Sequence, residues 1–199
     1  MSKNLDKTAE NLELEKMRYN NNSLSYKLGF AGIICSVAAC FIALNSFGPS
    51  DLSTVVKVLM NIVILLIGFL ATEKVKVYTK EYSYVMYAIG GVCAARIFWV
   101  PLQLFIYYNK FMSVYDGTQS GFDKAKDLYS SKLGATIIGQ FDGEKRIGTG
   151  YLTMNGNVRA IIIIVLLGLA ATSFIASGFI NQIKSKKLNN YLTSIGEKH

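Results

Sequence analysis

Long apolar runs alternate with shorter polar stretches along the chain. Near 28–47, 54–72, 83–108 and 160–182 almost every residue is apolar. A hydrocarbon core of ~30 Å needs roughly 20 helical residues at ~1.5 Å each. Each run is long enough, so the pattern predicts four transmembrane helices. The first run follows 27 mostly polar residues and has no A-x-A cleavage site. It is also too long for a signal-peptide core, so it reads as a retained span. The expected fold is all-α: an integral membrane four-transmembrane-helix bundle with one sizeable extracytoplasmic loop. Its parts are an N-terminal arm over 1–27, a four-span domain over 28–182 that includes the outer loop 109–159, and a basic tail over 183–199.

The polar stretches refine this. In the arm, Leu5 and Leu12, like Met17 and Leu24, stand seven apart, which suits a weakly amphipathic helix. "NNNS" at 20–23 interrupts it, because Asn and Ser favour caps and turns. The first outer loop, "NSFGPSDLS", carries Gly-Pro turn chemistry and makes spans one and two a hairpin. Span three, at about 26 residues, is longer than a crossing needs and predicts tilt or a kink at Pro101. Tyrosines at both its ends suit membrane interfaces. Within 109–159, Phe122, Leu128 and Leu133 mark one amphipathic helix, and Asn155-Gly156 is a tight-turn signal. A loop this long is expected to fold against the span ends. Span four begins uniformly apolar, which predicts a lipid-facing outer half, and ends rich in small residues, which predicts a packed inner half.

Charge sets the expected orientation. Lys3, Lys7, Lys16, Arg18 and Lys27 precede span one; Lys74, Lys76 and Lys80 join spans two and three; Lys184, Lys186, Lys187 and Lys198 follow span four. These outnumber the basic residues of the opposite side, where Lys57 and Arg159 are end flanks and the loop's lysines mix with aspartates. Basic flanks stay inside, so both termini are expected in the cytoplasm, with the chain in the plasma membrane. The net charge of +8 is then a membrane-surface feature, and no basic stripe interleaved with aromatics suggests nucleic acid.

Little enzyme chemistry is encoded. The only histidine is His199, and Cys35, Cys40 and Cys93 all fall within spans, without a C-x-x-C. That leaves no His-based metal site or catalytic dyad, and no cofactor, metal or catalytic residue is expected. Asp123 and Asp127 are interleaved with Lys124 and Lys126 and read as a solvated helix face. "TGYL" at 149–152 lacks the TVGYG order of a potassium filter. Gly32, Ser36, Ala39 and Ala43 share one face of span one, where small side chains let helix backbones approach.

The strongest signal is "GGVCAARIFWVPLQ" at 90–103. Arg96 sits in mid-span, and no span interior holds Asp or Glu. An intramembrane charge marks a functional site by default. Pro101 cannot donate to the Ile97 carbonyl, which leaves an acceptor beside Arg96. Gln103 and Tyr107 lie near the same face, Thr172 and Ser173 lie at similar depth, and Asn61 on span two is within reach if Arg96 points outward. Lys57, Asn61, Gly68 and Thr72 lie near one face of span two, with Lys57 placed to snorkel to the outer water.

Arg96 has three uses in view. It locks the bundle through neutral acceptors, it meets an anion of a partner subunit or lipid, or it binds an anionic solute. The expected function is a non-catalytic scaffold or accessory subunit of a membrane complex. Its partners are the lipid bilayer and a second membrane subunit or another copy. The alternative is a small oligomeric transporter or channel component.

Overall fold

The computed structural model describes residues 2–48, 51–142 and 155–196. Pro49, "TGYL" and His199 lie outside them. Seven helices follow one another: α1 (Ser2–Tyr19), α2 (Ser23–Leu44), α3 (Leu52–Lys76), α4 (Glu81–Val114), α5 (Gln119–Tyr129), α6 (Ala135–Ile138) and α7 (Gly156–Ser194). The four long ones, α2, α3, α4 and α7, are each apolar enough to cross a membrane. They start and stop where turn chemistry dictates. Asn20 to Asn22 separate α1 from α2, and Tyr78 takes a positive φ in the α3–α4 turn. Asn155 does not form a tight turn with Gly156. Its side chain accepts from the Val158 N–H and caps α7, as asparagine does at a helix start.

α7 is the axis of the bundle, with α4 and α2 packed along it; α3 leans on α2 and touches α4 less. Its buried residues recur at helical spacing from Gly156 through Ile163, Leu167, Phe174 and Asn181 to Leu192. The packed stripe therefore runs the whole helix, and the first half is not a lipid-facing surface on all sides. Ile161, Ile164 and Val165 are exposed while Ala160, Ile163 and Leu167 are buried. A uniformly apolar run hides such a stripe, because both faces use the same residues.

Close approach depends on small side chains. The face of Gly32, Ser36, Ala39 and Ala43 is buried, and a Cβ on Gly32 would meet the Phe174 ring at 3.1 Å. At Gly90 an added Cβ would lie 2.7 Å from Ile175 and 3.1 Å from the Ala171 carbonyl oxygen. α4 and α7 thus touch through backbone here.

α4 and α7, of 34 and 39 residues, are ~51 and ~58 Å long. The excess is used at both ends. At the end holding the termini, Leu188 and Leu192 of α7 form a small core with Tyr78 and Met17 of α1, and the Tyr191 hydroxyl donates to Glu15 at 2.7 Å. At the other end, the last turns of α4 carry Phe111 and Tyr115 into an aromatic cluster with Phe122 and Phe141. Phe122 and Leu133 are buried there, whereas Leu128 is exposed. Thr118 caps α5 by accepting from the Gly121 N–H, and its own hydroxyl donates to Asp116 at 2.6 Å. That bond and the Thr118 N–H hold the Asp116 carboxyl below the usual carboxylate range.

A polar network, mostly of amides and hydroxyls, closes the termini end. Asn181 donates to the Thr79 carbonyl and the Ser83 hydroxyl, both at 2.9 Å. Asn22 donates to Asn181 at 3.3 Å and accepts from Lys184 at 3.3 Å. Ser177 donates to the Ser25 carbonyl at 2.7 Å, and Ser185 donates to the Tyr78 carbonyl. These bonds tie the start of α2, the α3–α4 turn and α7 together. Replacing Asn181 with Leu strands three of these groups, so unfolding in detergent is expected to become easier by about 1–3 kcal/mol. An unchanged midpoint for Asn181→Leu would contradict the network's role.

Candidate functional site

The buried stripe of α4 runs through Ile89, Cys93, Arg96, Val100 and Leu104. Arg96 thus occupies a position that helical geometry assigns to the core, and only 2% of it is exposed. Its Nη1 donates to Asn61 Oδ1 on α3 at 2.9 Å. The Asn61 amide in turn donates to the Lys57 carbonyl one turn away, at 2.7 Å, which fixes which way the amide faces. The hydrogen bond joins α3 to α4. Cys40 of α2 and Cys93 lie close enough to feel the Arg96 charge, and all three cysteines are free thiols.

Of the polar residues the sequence placed near Arg96, the structure brings only Asn61 to it. Neither Gln103 nor Tyr107 bonds to it. Side chains on a helix lean toward its N-terminus, so Arg96 is directed toward the level of Cys93 and away from both, and it meets Asn61 on that side rather than by pointing outward as the sequence suggests. The Ile97 carbonyl freed by Pro101 is not its partner either. α4 continues through Pro101 as one helix. Thr172 bonds back to the Gly168 carbonyl at 2.9 Å and is exposed.

Lys57 does not snorkel. It is 2% exposed, and its ammonium lies 3.1 Å from the centroid of the Phe47 ring. What covers it is a strap from the loop. Gly48 N–H donates to the Lys132 carbonyl at 3.2 Å and Gly134 N–H to the Ser46 carbonyl at 3.0 Å, pairing Phe47 with Leu133 in an antiparallel bridge. Both side chains are buried. The strap also sets Asp51, nearly buried, 3.4 Å from Lys132.

Arg159 is a further buried cation, read from sequence as an end flank. It is 1% exposed, with Nη1 3.5 Å from the Ser46 hydroxyl. It precedes Ile163 by four residues and Leu167 by eight, which puts it on the α7 stripe. That register was the available signal, but it shows only once the stripe is known.

Buried polar groups without a hydrogen-bond partner occur at both ends, Thr72 Oγ1 among them, but the cations of this kind lie at the loop end. The termini-end network pairs amides and hydroxyls with one another. At the loop end, Arg96 Nε and Lys57 Nζ have no hydrogen-bond partner among the described residues. An arginine at mid-span costs between ~3 and ~17 kcal/mol. One hydrogen bond to a charged group returns ~1.5–3 kcal/mol, so Asn61 offsets only part of that cost. Among the described residues no group of three His, Cys, Asp or Glu side chains is placed to hold a metal ion.

Below the Arg96–Asn61 bond, toward the termini end, α3 and α4 run on to the turn that joins them. They leave a cavity of about 470 Å³ lined by Met60, Val63, Ile64, Ile67, Tyr84, Val85, Ala88, Ile89 and Val92. Its walls are almost wholly apolar, and it opens sideways from the bundle.

Fold and site define an all-helical protein with four helices that could span a membrane and an under-paired cation cluster between them. Comparison with protein-family models, curated proteins and solved structures finds no match.

Asn61→Leu is expected to destabilise the folded protein by about 1–3 kcal/mol, since it leaves Arg96 buried without its acceptor. Asn61→Asp keeps an acceptor and adds a counter-charge, so it is expected to unfold no lower than wild type. Thermal unfolding in detergent checks both. Equal loss in the two variants would show that volume, not the acceptor, matters at this position.

Proposed function

We propose that this chain is a non-catalytic, multi-pass membrane protein that serves as a scaffold or accessory subunit of a membrane complex. In this reading α2, α3, α4 and α7 cross the plasma membrane, both termini are cytoplasmic, and 109–159 is extracytoplasmic. The basic residues of 1–27, 73–82 and 183–199 support that orientation. The amphipathic α5, whose exposed face carries Asp123, Lys124, Lys126 and Asp127, suits a segment outside the bilayer.

The observation that carries the scaffold reading is the cavity between α3 and α4. Lipid-facing helices expose apolar side chains as a matter of course, so exposure alone identifies nothing. A concave, apolar groove between two spans is different. Helices in membranes associate through close packing and not through expulsion of water. A groove with a small residue, Ala88, and an adaptable one, Met60, offers a partner helix the surface contact that flexible acyl chains fill less well. The Arg96–Asn61 bond holds α3 to α4 at the groove's upper end and so keeps its two walls at a fixed separation. The occupant in this reading is a transmembrane helix of a second membrane subunit.

A second reading, a small oligomeric transporter or channel component, draws on the buried cations instead. Flux of small anions through liposomes that contain the folded protein would favour it over the scaffold reading.

Filling the groove tests the scaffold. Ala88→Trp and Val63→Trp are expected to retain wild-type helix content and to lose the membrane subunit that purifies with the native protein in mild detergent. Retention of that subunit by both variants would overturn the groove as its seat. Purification of the native chain alone would overturn the subunit reading itself.

A further inference from the structure

We propose that Lys57, Asn61 and Arg96 form a buried binding site for a single small, weakly hydrated inorganic anion of the halide type. This inference does not depend on the scaffold reading. It rests on how the loop end of the bundle is charged. Lys57 feels the charges of Arg96 and Lys132 and of one carboxylate, Asp51. Three cations thus share one acid, and that acid lies in ion-pair contact with Lys132. No Asp or Glu lies in the interior of the four long apolar runs, and among the described residues Asp51 is the one carboxylate whose charge Lys57 feels.

Two donors at this level are unused. Arg96 Nε and Lys57 Nζ are both buried and both lack a hydrogen-bond partner among the described residues, on side chains that are each 2% exposed. Their residues meet at one amide: Asn61 accepts from Arg96 Nη1 at 2.9 Å and donates to the main-chain carbonyl of Lys57, one turn earlier on α3, at 2.7 Å. Phe47 stands 3.1 Å from the Lys57 ammonium and attracts it through the ring face, but a ring carries no net charge and cannot neutralise the pair. The termini-end network of the same molecule leaves no donor of Asn22 or Asn181 unused. Of the buried side-chain groups without a hydrogen-bond partner among the described residues, these two are the ones that carry positive charge. A bound anion supplies what is missing: negative charge and an acceptor for both free donors.

The enclosure selects the ion. The strap of Phe47 and Leu133 closes the site from the loop side, and thiols and aliphatic side chains line the level of Arg96. An ion entering must shed its water. Chloride and bromide do this more readily than sulfate or phosphate, whose larger charge or size needs more donors than two cations and an amide provide.

Equilibrium binding of radiolabelled chloride to the full chain in detergent tests the site, with helix content monitored alongside. Wild type is expected to bind a single chloride per chain saturably. Bromide should compete, and gluconate and sulfate should not. Lys57→Gln and Arg96→Leu are each expected to weaken binding by about tenfold or more. The wild-type unfolding midpoint should rise when chloride replaces gluconate at fixed ionic strength, and the rise should vanish in Lys57→Gln. If Arg96→Leu does not fold, Lys57→Gln decides. Absence of saturable chloride binding by folded wild type would overturn the proposal. So would unchanged binding in Lys57→Gln, or a midpoint that depends only on ionic strength.

Discussion

The structure depends on where one guanidinium is placed. Arg96 stands in register with the apolar core of α4, so burying that helix buries the charge with it. The chain meets this constraint with an amide and not with a carboxylate. Asn61 of α3 accepts from Arg96, and its own N–H bonds to the Lys57 carbonyl hold it ready to do so. Isolated charges in apolar surroundings are costly unless paired and bonded. α3, the least embedded of the long helices, is thereby tied to α4 at a fixed level.

Other features follow from that tie. Above it, the strap between 46–48 and 132–134 closes over Lys57 and joins the loop helices to the spans. Below it, side chains of α3 and α4 line the apolar groove. At the far end, the network around Asn22 and Asn181 fixes α2 and α7. That end is tied mainly by amides and hydroxyls, whereas the other buries the Arg96 and Lys57 charges.

Much of the fold is legible in the sequence because apolar run length is a strong signal. Four runs predict four long helices, and "NNNS" and "KVKVYTK" mark breaks that the structure contains. Lys57, Asn61, Gly68 and Thr72 share a face in the sequence and are all buried. Facing within a run is harder to read. The start of α7 is apolar all round, so neither its packed stripe nor the burial of Arg159 on that stripe can be seen from composition. Gln103 and Tyr107 share a helical face with Arg96 by spacing. The lean of side chains along a helix, which spacing ignores, turns Arg96 away from them. Lys57 was expected to reach water because its position near a span end permits it. The strap that denies it water forms between segments more than 80 residues apart, a contact that no local pattern encodes.

The central claim is that the Arg96–Asn61 bond couples α3 to α4. A double-mutant cycle of Arg96→Leu and Asn61→Leu, read by unfolding in detergent, tests it most directly. If the bond operates as described, the double variant is destabilised less than the sum of the single variants, with a coupling of about 1–3 kcal/mol. Additive losses would contradict it and would leave Arg96 and Asn61 as two independent residents of the same core.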